Sequence, residues 1–258
     1  MQRLDLTMPT PQENLALDEA LLDWAEEEDG EAEFLRIWES PQPIVVVGRS
    51  TRVELEVHAS VCRERGIPVL RRSSGGAAIV AGPGCLMYAV VLSYQRRPEL
   101  KDISHAHAYA LGRLADALRP ILADTGIVQH GGTSDLVYLE AVGSPACPVS
   151  GIRAPRKFSG NSLRAKRSHL LYHGTLLYDF ELNLVETCLR MPPRVPDYRD
   201  GRTHLEFVAN LPISRHALVA AVDQAWPTNQ ALREWPVARV EDLIAARFAR
   251  DSWNYEFG

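Results

Sequence analysis

Residues 70–88, LRRSSGGAAIVAGPGCLMY, are the stretch around which this 258-residue chain is organised. Two arginines, Arg71 and Arg72, precede the pair Gly75-Gly76; an apolar run, AAIV, leads to a tight Gly82-Pro83-Gly84. Glycine lets a backbone approach a ligand closely and turn its N–H groups toward it. Arginine matches the geometry of carboxylate and phosphate. The stretch therefore reads either as the floor of a pocket for a small anion or as a plain hairpin turn with surface arginines. It is not a Walker loop, because no Gly-Lys-Ser/Thr follows. Nor is it a dinucleotide fingerprint, because the spacing differs and the next residues read as strand rather than helix.

Charge is distributed unevenly. The net value of −5 does not favour bulk nucleic-acid binding. Yet no acidic residue lies between Glu64 and Glu99, and none between Glu140 and Asp179. The second window carries Arg153, Arg156, Lys157, Arg164, Lys166 and Arg167. Both windows pair glycine with base, as an anion site does, and are expected to meet around one negative ligand. No apolar run approaches the ~20 residues of a membrane span, and the N-terminus, MQRLDLTMPTPQ, lacks the apolar core of a signal peptide. Cys62, Cys85, Cys147 and Cys188 show no CxxC spacing. Free thiols in a reducing cytoplasm, with no membrane and no nucleic-acid partner, are expected.

Periodicity predicts helices over 13–28, 56–65, 106–123, 182–190, 214–225 and 240–248, with Ser214 as an N-cap. Strands are predicted at 34–38, 44–47, 69–70, 77–80, 86–93, 135–139, 156–163 and 169–177, with a Pro/Gly-rich link over 143–155. Nothing divides the chain. One α+β domain spanning 1–258 follows: a mixed, mainly antiparallel sheet flanked by helices.

Lys157, in RKFSGNS, is the most informative base. A lysine on a sheet is commonly a solvated edge residue. Inside an acid-free window and beside a glycine, it is also suited to neutralise a carboxylate, a phosphate or a developing oxyanion. His173-Gly174-Thr175 sits on an alternating apolar strand. His169 and His173 share a strand face without forming a tight metal pair, and His105 and His107 read as the start of a helix.

At RRSSGG, KFSGN and HGTLLYDFEL, in that order, the chain resembles the lipoate–protein ligase A and octanoyltransferase family. NLALDEALL (14–22), the strand pair ending at Gly48-Arg49 and DSWNY (251–255) extend the resemblance nearly end to end. It implies the biotin/lipoate protein ligase fold and attachment of lipoate or octanoate to a lysine of a small acceptor domain. The acceptor would be a 2-oxoacid dehydrogenase subunit or a glycine cleavage H protein. In the ligases, ATP and Mg first give lipoyl-AMP. By position, Arg72, Ser74, Gly75 and Gly76 would line the acyl and adenylate pocket, with Ala77 at a third glycine position. Lys157 would contact the acyl carbonyl and phosphate, beside Ser159 and Gly160. Asp135, in TSDL, matches the acid near the metal and nucleotide, and His173, Gly174 and Thr175 would form the facing strand.

The chain also departs from the family pattern. Ala81-Gly82 stand where His-Asp is common, Cys85 stands where Asn is common, and GPG at 82–84 is similar to the octanoyltransferase branch. Most ligases of the family also carry a small accessory domain downstream; none is expected within residues 1–258, and a separate partner chain could supply it. The first expectation is an ATP-using ligase. The second is an ATP-free octanoyltransferase taking octanoate from acyl carrier protein through a cysteine thioester. The third is a non-catalytic binder of lipoyl domains or acyl groups. No cysteine matches a known transferase nucleophile, which favours the first. Cys85 is expected in the pocket, as a ligand contact rather than a nucleophile.

Overall fold

A computed structural model describes residues 1–27, 30–144, 147–152 and 154–256. Arg153, from the second acid-free window, lies outside them. The strands are β1 (Gln2–Asp5), β2 (Phe34–Trp38), β3 (Ile44–Val47), β4 (Val69–Arg71), β5 (Ile79–Ala81), β6 (Cys85–Ser93), β7 (Gly126–Gly131), β8 (Asp135–Ser144), β9 (Cys147–Ile152), β10 (Arg156–Ala165), β11 (His169–Leu177) and β12 (Gln230–Ala231). Among the described residues, the large sheet runs β12-β1-β2-β6-β11-β10-β8-β7, with β9 paired to β8. Every pairing in it is antiparallel except β1 with β2 and β1 with β12. A smaller sheet, β4-β3-β5, has one parallel and one antiparallel pairing. The mixed, mainly antiparallel expectation holds.

The pleat of β6 shows how the layers form. Alternate residues point to opposite faces of a strand. Met87, Ala89 and Val91 join one core with the first helix (Pro11–Glu27) and the small sheet. Leu86, Tyr88, Val90 and Leu92 join a second core under the long helix Ile103–Leu122 and the helix Arg215–Ala225. All of β6 is buried, which explains its nearly continuous apolar run. Asp102 caps the long helix by accepting from the His105 amide, and Ser214 caps its helix by accepting from Ala217.

The helix expected over 56–65 is two short pieces, Val53–Glu56 and Ala59–Glu64. Val57 breaks it by bridging to Leu189 as an extended residue. The link expected over 143–155 is instead the end of β8 and the strand β9. β1 and β7 escape the sequence reading because each is short or half-polar and gains its order from pairing with neighbours.

Candidate active site

The face of β11 toward the first helix presents Leu171, His173, Thr175 and Leu177. The outer leucines belong to the apolar core; the two polar residues between them line a cavity of about 650 Å³. That volume falls within the roughly 300–1,000 Å³ of ordinary ligand pockets. β10 and the start of β8 extend its floor. The glycine-rich segment between β4 and β5 covers one side, and residues 185–208 close the other. Both acid-free windows therefore reach one cavity.

Lys157 Nζ stands 2.8 Å from Asp135 Oδ1. A bulge between Lys157 and Ser159 shifts the β8–β10 register and sets Gly160 opposite Asp135. A Cβ on Gly160 would lie 2.8 Å from Lys157 Nζ, so any larger residue there would displace the ammonium. Asp135 Oδ2 accepts from the Tyr198 hydroxyl at 2.6 Å.

Arg72 is buried, and its guanidinium donates to the carbonyls of Val46, Gly75 and Ala77 and to Ser74 Oγ. With no carboxylate bonded to it, burial lowers its pKa to about 10, partly offset by Glu56. Ser74 Oγ also lies 2.6 Å from His173 Nε2. On its other side the His173 ring approaches Asp18 at 3.8 Å. Asp18 is paired with the wholly buried Arg36 at 2.6 Å. Burial opposes the Asp18 charge, but Arg36 and His173 outweigh it and hold the carboxyl below its usual range.

Of the residues singled out from sequence, Arg72, Gly76, Ala77, Asp135, Lys157, Ser159, Gly160, His173, Gly174 and Thr175 line the cavity. Ser74 and Gly75 stand behind its wall and shape it, Gly75 by accepting from Ser162 Oγ at 2.9 Å. Cys85 does not line it, contrary to expectation. It sits beyond Met87 on the same face of β6, fully buried, with its sulfur 4.0 Å from that of Met87. Burial pushes its thiol up to about 12. Arg71 is not a ligand-facing base either. Its guanidinium is spent on the carbonyls of Gly48, Arg49, Thr51, Trp253 and Asn254.

Sequence reasoning missed the wall formed by Arg190, Arg194 and Arg199. Its signal was present as MPPRVPDYRDGR at 191–202, a proline-rich run with repeated arginines. Arg199 is almost fully buried against the Phe207 ring at 4.7 Å, and its Nη2 has no hydrogen-bond partner among the described residues. Burial, then the neighbouring Arg202 charge, lowers its pKa. The cavity thus joins an apolar lining, including Leu15, Val80, Met87 and Val185, to a cationic wall.

No cysteine lines the cavity among the described residues. Cys62 and Cys188 are fully buried, and burial raises both thiols, Cys62 to about 12. The Cys147 backbone pairs opposite Ser144. That is nine residues from Asp135 along β8, on the order of 30 Å for extended chain. No cluster of three metal-ligating side chains occurs among the described residues, and no helix there is long and apolar enough to cross a membrane.

Comparison with known proteins gives the same direction. The family model for the lipoyl protein ligase A/B catalytic domain matches residues 10–224. Octanoyltransferase LipM of Brevibacillus brevis is 21% identical over 95% of this chain and 95% of its own length. Lipoate-protein ligase LplJ of Bacillus subtilis is 25% identical over 78% of this chain and 53% of its own. A bipartite lipoate protein ligase from Thermoplasma acidophilum, studied with its E2 lipoyl domain, has a similar fold. Its TM-score is 0.75 at 22% identity, over 99% of this chain and 97% of that one.

Proposed function

The chain belongs to the lipoyl protein ligase A/B catalytic family, and from that premise we propose that it joins a lipoyl or octanoyl group to a lysine of a lipoyl acceptor domain, using an acyl-adenylate as the activated form. Family membership makes it an enzyme of lipoyl or octanoyl transfer rather than a passive binder. The observation that carries the finer reading is the cavity wall: a lysine–carboxylate pair and three arginines, with no cysteine among its described lining residues. An enzyme thioester requires a reactive thiolate at the acyl carbonyl. The thiols of Cys62, Cys85 and Cys188 are buried and raised in pKa, and none of the three lines the cavity. An acyl phosphate instead requires cations, which this wall supplies.

The apolar lining suits an eight-carbon chain. Lys157 would neutralise charge growing on the acyl carbonyl and on the departing phosphate as the acceptor amine attacks. Arg190, Arg194 and Arg199 would face the phosphate. Asp135 fits Mg as a single carboxylate, since that ion is commonly held by one or two carboxylates together with substrate phosphates. It would then share an oxygen with Lys157 or Tyr198. ATP, with Mg, would supply the adenylyl group that activates the carboxylate of lipoate or octanoate, with pyrophosphate leaving. The likeness to a bipartite ligase supports a separate chain as the source of any accessory function.

A second reading rests on the relatives. The curated proteins matched over nearly their full length are octanoyltransferases, which favours ATP-free transfer from acyl carrier protein. Two assays separate the readings. Lipoate-dependent exchange of pyrophosphate into ATP is expected, alone or with an added partner protein. Acyl transfer from octanoyl-acyl carrier protein without ATP, together with no exchange under either condition, would reverse the order of the two.

A further inference from the structure

Tyr198 carries no motif and does not itself line the cavity, yet it bonds to a carboxylate that does, Asp135. Its hydroxyl donates to Asp135 Oδ2 at 2.6 Å, while Oδ1 of the same carboxylate holds Lys157 Nζ at 2.8 Å. The ring is fixed on two sides. A Cβ on Gly131 would come within 3.0 Å of Tyr198 Cζ, and one on Gly132 within 3.3 Å of Cε1. Phe207 packs across the other face at 5.1 Å between centroids.

A carboxylate has two oxygens, and a lysine ammonium has three donors that rotate freely on a flexible stem. Left alone, Asp135 could turn both oxygens toward Lys157 and draw the ammonium down to the floor. With Oδ2 held by the tyrosine, only Oδ1 meets Lys157, and one donor suffices for it. We propose that Tyr198 is a positioning residue for acyl transfer: by fixing Asp135 it directs the Lys157 ammonium toward the acyl carbonyl. This rests on the role given to Lys157 above.

Tyr198→Phe keeps the ring and its packing and removes only the hydroxyl. Transfer to a lipoyl domain is measured with the donor that the wild type uses, either octanoate with MgATP or octanoyl-acyl carrier protein. Turnover is expected to fall about tenfold, as for loss of one orienting hydrogen bond, with KM for the acceptor within roughly twofold and little change in the thermal midpoint. In an Asp135→Ala background the same substitution should change kcat by less than about twofold, because the partner through which it acts is gone. Wild-type turnover in Tyr198→Phe, beside an inactive Lys157→Ala, overturns the proposal and leaves the role of Lys157 standing. A tenfold loss that persists without Asp135 also overturns it. Full activity in a folded Lys157→Ala removes the proposal together with the reading beneath it.

Discussion

Arg71 and Arg72 are neighbours in sequence and do different work. β4 ends at Arg71, and the chain turns there. The Arg71 side chain holds the carbonyls after β3 and the C-terminal turn, while Arg72 holds the glycine-rich segment from within. Each uses the planar fork of a guanidinium, which a lysine cannot copy. Arg72→Lys is expected to leave at least one buried carbonyl among Val46, Gly75 and Ala77 without its partner. The cost is about 1–3 kcal/mol, read as a lower urea midpoint, with a raised KM for the acyl donor; an unchanged midpoint and KM would mean the fork is dispensable. Lys157→Ala tests chemistry instead of architecture. It should fold normally and lose roughly 100-fold or more in transfer rate, the scale of a lost oxyanion donor. Wild-type rates in that variant would place the reacting centre elsewhere.

At the scale of elements, the cavity exists because two backbones come unusually close. A Cβ on Gly48, at the end of β3, would lie 1.9 Å from the Gly76 carbonyl oxygen. Nearby, the Arg49 amide donates to Ser74 and Thr51 Oγ1 to Gly76. Gly48→Ala must push the glycine-rich segment toward the cavity. A loss of about 1–3 kcal/mol is expected, together with weaker acyl-donor binding by titration; unchanged binding would show that the segment yields without consequence. The same close approach explains what was legible beforehand. Glycine and base in two acid-free windows pointed to one site, and Lys157, Asp135 and the strand His173–Thr175 reach one cavity. Strands whose faces are buried, such as β3, β6 and β11, were readable from their apolar runs. β1, β7 and β12 were not, because edge and short strands take their conformation from partners rather than from their own pattern. Cys85 was misplaced for a related reason. Alternation gives the face of a strand but not how far along that face a cavity extends. Tyr198 and the arginine wall were missed because their segment has no periodicity, and only tertiary packing brings it over the cavity.

Across the whole molecule, ionisable groups are buried on both faces of the sheet, and their balance sets the response to acid. His169 is fully buried, with Nδ1 near Ser168 and Glu26 and with Nε2 unpartnered among the described residues. His107 meets the Tyr172 hydroxyl on the opposite face, and His204 lies on the cavity wall against the Arg190 carbonyl. Burial lowers the pKa of all three. An unfolded histidine titrates near 6.5. Above that pH these residues are neutral in both states and cost nothing. Below it the unfolded chain takes up protons that the native protein resists, so stability falls as pH drops from about 6.5 toward the lowered native values. Asp18 and Glu26 act in a lower window. Burial opposes their charge, but Arg36 and His173 for Asp18, and hydrogen bonds from Ser168 and His169 for Glu26, hold both below the usual range. Their contribution is complete above the ordinary carboxylate pKa near 4 and is lost as pH falls through the native values. Urea midpoints should therefore decline in two stages, first as pH falls below about 6.5 and again below about pH 4. His204→Gln should shrink the first stage, since glutamine takes up no proton there, and leave the second in place. A midpoint that stays level from pH 7.5 to 5.5 would show that these histidines accept protons in the folded protein, against the burial that surrounds them.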